Sequence, residues 1–236
     1  MDEKGAREAA AAVRDAQELV RDAQEVVRAA GVTLVEEGLV AGTWGNVSLR
    51  LSGNRMAITP SGSDYLSMKA DDIVIVDLAT GEAEGGTPST EKKLHQEIYR
   101  CRTEVNAIIH THSMSVSTVA AARREVPPIL DDLAQIVGPS LRVASYALPG
   151  TQKMARTVLA ALRGRMAAVM ANHGGVALGR TMAEALLCAR IMEKGCRAFI
   201  EAEFLGGAHA INRLEARLMH EVYLRKYSRK SVREGE

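Results

Sequence analysis

The stretch "EVNAIIHTHSMSVSTVAA", beginning at Glu104, puts two of the chain's six histidines two residues apart at the end of an apolar run. Side chains at i and i+2 share a face in a β-strand and diverge in a helix. The run therefore predicts a strand over Asn106–His112, with His110 and His112 projecting side by side, and a helix after it. Two imidazoles so placed are a common offer to a divalent metal. Two polar neighbours satisfied by hydrogen bonds would leave the same pattern, and this stretch alone does not choose between them.

The rest of the chain supplies partners for that strand. Residues 1–38 read as helical. Within them "VRDAQEL" and "VRDAQEV" form a seven-residue near-repeat that lines up Val13, Val20 and Val27, with Ala16, Ala23 and Ala30 beside them. Such a stripe suits packing on the chain's own domain, and a contact with another subunit is the alternative. Glycines then punctuate short β-like runs at Asn46–Leu51 and Arg55–Thr59, and "DDIVIVD" adds another strand. "STEKKLHQEIYRCR" reads as a helix capped by Ser89 or Thr90. Further strands are expected at Arg142–Tyr146, Met166–Ala171 and "GGVALGR". Helices are expected from about Gln152 to Leu162, from Thr181 to about Leu205 with Glu184 in the capping-box position, and over Ile211–Lys226, with a frayed tail beyond. Strands and helices mix without strict alternation. This argues for an α/β chain with a mainly antiparallel sheet covered by helices.

Composition narrows the function. There are 30 basic and 29 acidic residues, so no general attraction to nucleic acid or to a membrane surface is expected. Aromatic residues are 3%, too few for base-stacking platforms. Cys101, Cys188 and Cys196 form no CxxC pair and read as reduced residues of a cytoplasmic protein. No signal-peptide or membrane-spanning segment is visible.

A third histidine, His173, stands in "MANHGGVALGR", where Gly174 and Gly175 would let the backbone turn and leave His173 at a strand end. Glu91 opens the helix after "TPST". Three imidazoles and one carboxylate complete a set for zinc, with the carboxylate a ligand or a base. His95, His209 and His220 fall in helical segments and read as solvated or core-edge side chains. Three loops look fit to hold an anion: "GNVS" (Gly45–Ser48), "TPSGS" (Thr59–Ser63) and "PST" (Pro88–Thr90), the last at a helix N-terminus. Each alone reads more readily as an ordinary polar turn. Three of them near a metal site favour a phosphorylated or carboxylated substrate.

Taken in order, "GNVS", "ITPSG", "PSTE", "HTHS" and "NHGGVALG", with the long helix that follows, resemble the class II aldolase/adducin-like family, closest to its L-fuculose-phosphate aldolase and L-ribulose-5-phosphate 4-epimerase branch. The resemblance runs from about residue 20 to 228. It implies a three-layer αβα domain, residues 1–236, with a helical extension over about residues 1–30. It also implies a homotetramer with active sites between subunits. By the resemblance His110, His112, His173 and Glu91 would hold zinc, or another divalent metal such as manganese, cobalt or iron. Gly45, Asn46, Ser61, Gly62, Ser89 and Thr90 would cradle the substrate's phosphate, and Glu91 would be the base. The implied reaction cleaves a ketose phosphate such as L-fuculose 1-phosphate to dihydroxyacetone phosphate and an aldehyde through a metal-stabilised enediolate.

The chain departs from the pattern at one point. In "VPPILDDLAQIVG" Asp131 stands where the fuculose aldolases place a tyrosine, and a carboxylate there could serve as acid/base, as an aspartate does in the 4-epimerases. Tyr227 is the counterpart of a second family tyrosine near the C-terminus. An epimerase is therefore the second expectation and a decarboxylase or dehydratase the third. An adducin-like assembly module is the non-enzyme alternative. Adducins lack the histidine set that this chain retains.

Overall fold

The computed structural model describes residues 3–226. Eight strands form one sheet in the order β4-β3-β2-β1-β5-β8-β7-β6. They are β1 (Asn46–Leu51), β2 (Arg55–Ile58), β3 (Val74–Asp77), β4 (Ala83–Glu84), β5 (Ala107–Thr111), β6 (Val143–Ala144), β7 (Ala167–Met170) and β8 (Gly174–Gly179). Every pairing is antiparallel except β6 with β7. The His-x-His strand β5 sits at the centre between β1 and β8, and all five of its residues are buried. A strand covered on both faces needs apolar residues on both, which explains the unbroken Ala-Ile-Ile run.

Six helices flank the sheet: α1 (Glu3–Glu36), α2 (Lys92–Cys101), α3 (Met114–Ala122), α4 (Gln152–Ala161), α5 (Met182–Glu203) and α6 (Arg213–Lys226). Ser48 of β1 meets His95 and Tyr99 of α2. On the opposite pleat, a Cβ at Gly175 would strike Met192 of α5 and Val116 of α3. Helices therefore cover both faces, giving the three layers expected. α1 packs through Ala23, Val27, Ala30 and Leu34, all buried, and ahead of them Ala16 and Leu19 are exposed. The valine–alanine stripe thus seats on its own sheet from about Val20 onward; the side chain of Val13 and the tail after Lys226 lie outside what is described.

Two local details differ from expectation. The left-handed residue of the β7–β8 connection is Asn172 (φ 57°), not a glycine. Gly174 and Gly175 lie inside β8, where they permit close approach: a Cβ on Gly174 would collide with the carbonyl oxygen of Thr111. The second detail is a five-residue π-helical turn at Leu133–Val137, introduced by Asp132, whose carboxylate accepts from the Leu133 N–H. The helix that follows the His-x-His strand is capped from outside: Glu193 of α5 accepts from the backbone N–H groups of Ser115 and Val116, each at 3.0 Å. Those two bonds pin the N-terminus of α3, just past β5, to α5. Among the described residues no helix is long and apolar enough to cross a membrane.

Candidate active site

The sheet register brings the site together. Asn46 at the start of β1 pairs with His110 of β5, and the antiparallel β5–β8 ladder sets Gly175 beside Thr111. His173 therefore hangs over the end of β5, between His110 and His112. The three rings pack edge to face with centroids 4.6, 4.9 and 5.0 Å apart. One nitrogen from each lies within 4.8 Å of the others. Glu91 reaches in from the N-terminus of α2, its Oε2 3.0 Å from His110 Nε2 and its Oε1 3.4 Å from His173 Nε2.

The arrangement fits a metal on its own chemistry. His110 Nδ1 lies 2.9 Å from the carbonyl oxygen of Gly175, an acceptor only, so the ring's proton is on Nδ1 and the Nε2 lone pair faces inward. That lone pair meets His112 Nε2 at 2.8 Å and the Glu91 carboxylate at 3.0 Å. Glu91 Oε1 is buried and accepts no hydrogen bond among the described residues. Acceptors converging around the buried Glu91 and His110 with too few protons between them suit a cation. Burial holds His112 down to about 3, with His110 and His173 adding to the effect; burial and His110 likewise lower His173. These rings are neutral and ready to donate lone pairs at physiological pH. Burial pushes Glu91 up, but the positive charge that His110 and His173 would carry when protonated, with the Asn46 amide, outweighs it, and the net direction is down, so the carboxyl is ionised.

The three anion-type loops meet beside this cluster. Thr59 is tied to Val47 by its N–H to the Val47 carbonyl at 3.0 Å, and Ser89 N–H donates to the Thr59 carbonyl at 3.1 Å. Ser61 N–H donates to the Thr87 carbonyl at 3.0 Å, so "TPSGS" and "PST" run as a short antiparallel pair bridged at Pro60 and Pro88. Gly45 is required where it stands: its φ is 84°, and a Cβ would lie 2.6 Å from Val40 and 2.7 Å from the His110 carbonyl oxygen. The expected cap shifts by one position. Ser89 Oγ accepts from the Glu91 N–H, and Glu91 itself is the N-cap residue, its side chain turned to the histidines and making no cap bond.

Together these residues line a pocket of about 110 Å³ that includes Gly45, Asn46, Ser61, Gly62, Ser89, Thr90, Glu91 and the three histidines. A wider, open pocket of about 410 Å³ continues from it past His112 and His173, walled by Trp44, Tyr146 and Pro149. The structure does not bring the remaining candidates in. Asp131 is exposed at the start of the π-helical turn and is not among the lining residues of either pocket; its neighbour Asp132 pairs with Lys194 at 2.6 Å. Tyr227 lies outside the described residues.

The histidines set aside from the sequence need correcting. His209 is exposed in the loop between α5 and α6, not in a helix. His220 is buried on α6, with Nδ1 2.6 Å from the carbonyl oxygen of Gln135. His95 is neither solvated nor at the core edge: it is fully buried, held down to about 3 by that burial, and hydrogen-bonded to Asn46 and Ser48 behind the site. It follows Glu91 by one helical turn, but that spacing alone does not mark it, since any i and i+4 pair shares a helix face.

The chain belongs to the class II aldolase and adducin N-terminal domain family, whose model matches residues 24–200. It is 37% identical over 158 residues to the 5-methylthioribulose-1-phosphate/5-deoxyribulose-1-phosphate aldolase of Rhodospirillum rubrum, covering 66% of this chain and 71% of that one. Against the L-fuculose phosphate aldolase of Escherichia coli K12 it is 35% identical over 156 residues, covering 66% and 72%. A solved L-fuculose 1-phosphate aldolase superposes with a TM-score of 0.82 at 33% identity, covering 86% of this chain and 96% of the other. With relatives named as aldolases and a histidine triad able to bind metal, the chain is an enzyme of the class II aldolase type.

Proposed function

We propose that the enzyme cleaves a ketose 1-phosphate between C3 and C4, releasing dihydroxyacetone phosphate and an aldehyde. The observation that carries this reading is the convergence of Glu91 and three histidines beside a loop-lined pocket for an anion. His110, His112, His173 and Glu91 would hold a divalent metal, zinc first, which when bound supplies a Lewis acid for the ketose carbonyl. Gly45, Asn46, Ser61, Gly62, Ser89 and Thr90 would hold the phosphate, using backbone N–H groups and hydroxyls near the positive end of α2.

Glu91 is the proton carrier at C3. In cleavage C3 gains a proton as the C3–C4 electron pair leaves the aldehyde carbon; in synthesis Glu91 removes that proton. A second group must take the proton from the C4 hydroxyl. Asp131 and Tyr227 are the proposed candidates, reaching the pocket of a neighbouring subunit in a homotetramer. Asp131 in the place of the tyrosine also favours a 4-epimerase as the second reading. The remainder of the substrate would lie against Trp44, Tyr146 and Pro149, an apolar wall that suits a short deoxy or thioether tail. We place this activity in the cytoplasm and in one domain spanning residues 1–236, with an N-terminal helical extension over about residues 1–30.

The test is to incubate the purified protein with L-fuculose 1-phosphate and 5-deoxyribulose 1-phosphate, with and without chelator, and to trap the aldehyde. Chelator-sensitive aldehyde release supports the proposal. Epimerised sugar phosphate without aldehyde moves the assignment to the epimerase, and no turnover of either substrate overturns the aldolase reading.

A further inference from the structure

A fully buried imidazole must give both ring nitrogens a partner. His95 does so with its Nε2 2.5 Å from Asn46 Oδ1 and its Nδ1 2.6 Å from Ser48 Oγ. Asn46 then donates Nδ2 to Glu91 Oε2 at 3.0 Å. The direction of this chain is fixed by chemistry. A carboxylate only accepts, so the Asn46 amide must present its NH₂ to Glu91 and its oxygen to His95. An amide oxygen only accepts, so the proton of His95 is on Nε2, whichever its ionisation. In the neutral ring Nδ1 accepts from the Ser48 hydroxyl, and Ser48 Oγ is left to accept from Tyr99 O–H at 2.8 Å, the shorter of that hydroxyl's two contacts. Reversing the amide would set its oxygen against the Glu91 carboxylate, two acceptors facing one another.

The consequence falls on Glu91. Its Oε2 is gripped by Asn46, while its Oε1 is buried and takes no hydrogen bond among the described residues. We infer that His95 is a positioning residue: through Asn46 it decides which oxygen of Glu91 is held and leaves Oε1 as the one that exchanges the proton with substrate. The inference rests on the reading of Glu91 as the base. His95 touches neither substrate nor metal. It acts as outer partners of a metal site do, by orienting what they contact, and loss of such partners costs about 10- to 100-fold.

Two measurements test it. On the whole chain, labelled with ¹⁵N at histidine, the ring signals of His95 report which nitrogen carries the proton, with no need for turnover. A proton on Nε2 is expected; a bare Nε2 overturns the inference, even if the variants below fail to fold. On the metal-loaded enzyme, His95→Leu and His95→Gln are compared with wild type for metal content, thermal unfolding, kcat and KM. His95→Leu should keep its metal and its KM while kcat falls about 10- to 100-fold. His95→Gln, whose amide can donate to Asn46 Oδ1, should recover most of that loss. Wild-type kcat in a folded, metal-loaded His95→Leu overturns the inference. So does a loss shared equally by both variants and tracking their unfolding temperature. If wild type turns over no ketose phosphate, the reading of Glu91 as the base fails, and the ring-proton result separates that failure from this one.

Discussion

The inner wall of the pocket and its outer rim are built from different material. On the inner wall Asn46, Glu91 and His110 are buried, and each contacts another member of the site directly. They come from two paired strands and a helix N-terminus, elements whose spacing the ladder sets. On the rim, Trp44 is 66% exposed, Tyr146 is exposed, and Asp131 stands outside the lining altogether. These come from loops and from the entry to a π-helical turn. Groups that must keep a fixed separation sit on rigid elements; groups that admit and release substrate sit where the backbone can vary. A carboxylate among three imidazoles works only if none drifts, whereas an apolar wall tolerates adjustment.

Substitutions should grade in that order. His112→Ala removes a proposed metal ligand, and metal and activity should disappear together, as read by metal analysis alongside aldehyde release. Stoichiometric metal with full turnover would dissolve the distinction. Glu91→Gln keeps the shape but cannot carry a proton; kcat should fall roughly 10²- to 10⁴-fold, the usual contribution of a positioned acid/base, with the fold and much of the metal retained. Asp131→Ala sharpens the boundary. If it serves the C4 hydroxyl, kcat falls toward the lower end of that range, roughly 10²-fold, while metal content and KM for the phosphate stay unchanged. A silent substitution would return Asp131 to the solvated surface. Trp44→Ala should do least. Cleavage should persist, and selectivity between apolar and hydroxylated aldehydes in the synthetic direction should shift by about tenfold.

Much of the inner wall was legible in the sequence. The strand expected at Asn46–Leu51 is β1 to the residue, and His-x-His at the end of "AII" could share a ligand only if the segment was extended. Both signals are local: a period of two, and punctuation by glycine. The His95 relay was not legible, because its meaning depends on what β1 places across from α2. Leu94 and Ile98 marked the buried stripe of that helix, but a histidine beside them is silent until Asn46 and Ser48 are seen opposite. The role given to Gly174 and Gly175 missed for a similar reason. Glycine pairs signal turns, yet here they answer crowding by Thr111, Val116 and Met192, all distant in sequence. The π-helical turn carries no simple period, and nothing local in "DDLAQIVG" announced it.

The central claim is that Glu91 moves the proton at C3 within a metal site built by three histidines. The most direct measurement follows the C3 protons of dihydroxyacetone phosphate by NMR in deuterated buffer, with metal-loaded wild type and Glu91→Gln. The account predicts that wild type exchanges one of the two C3 protons for deuterium without any aldehyde present, and that Glu91→Gln, still holding metal, exchanges neither. Exchange at the wild-type rate in Glu91→Gln would contradict it.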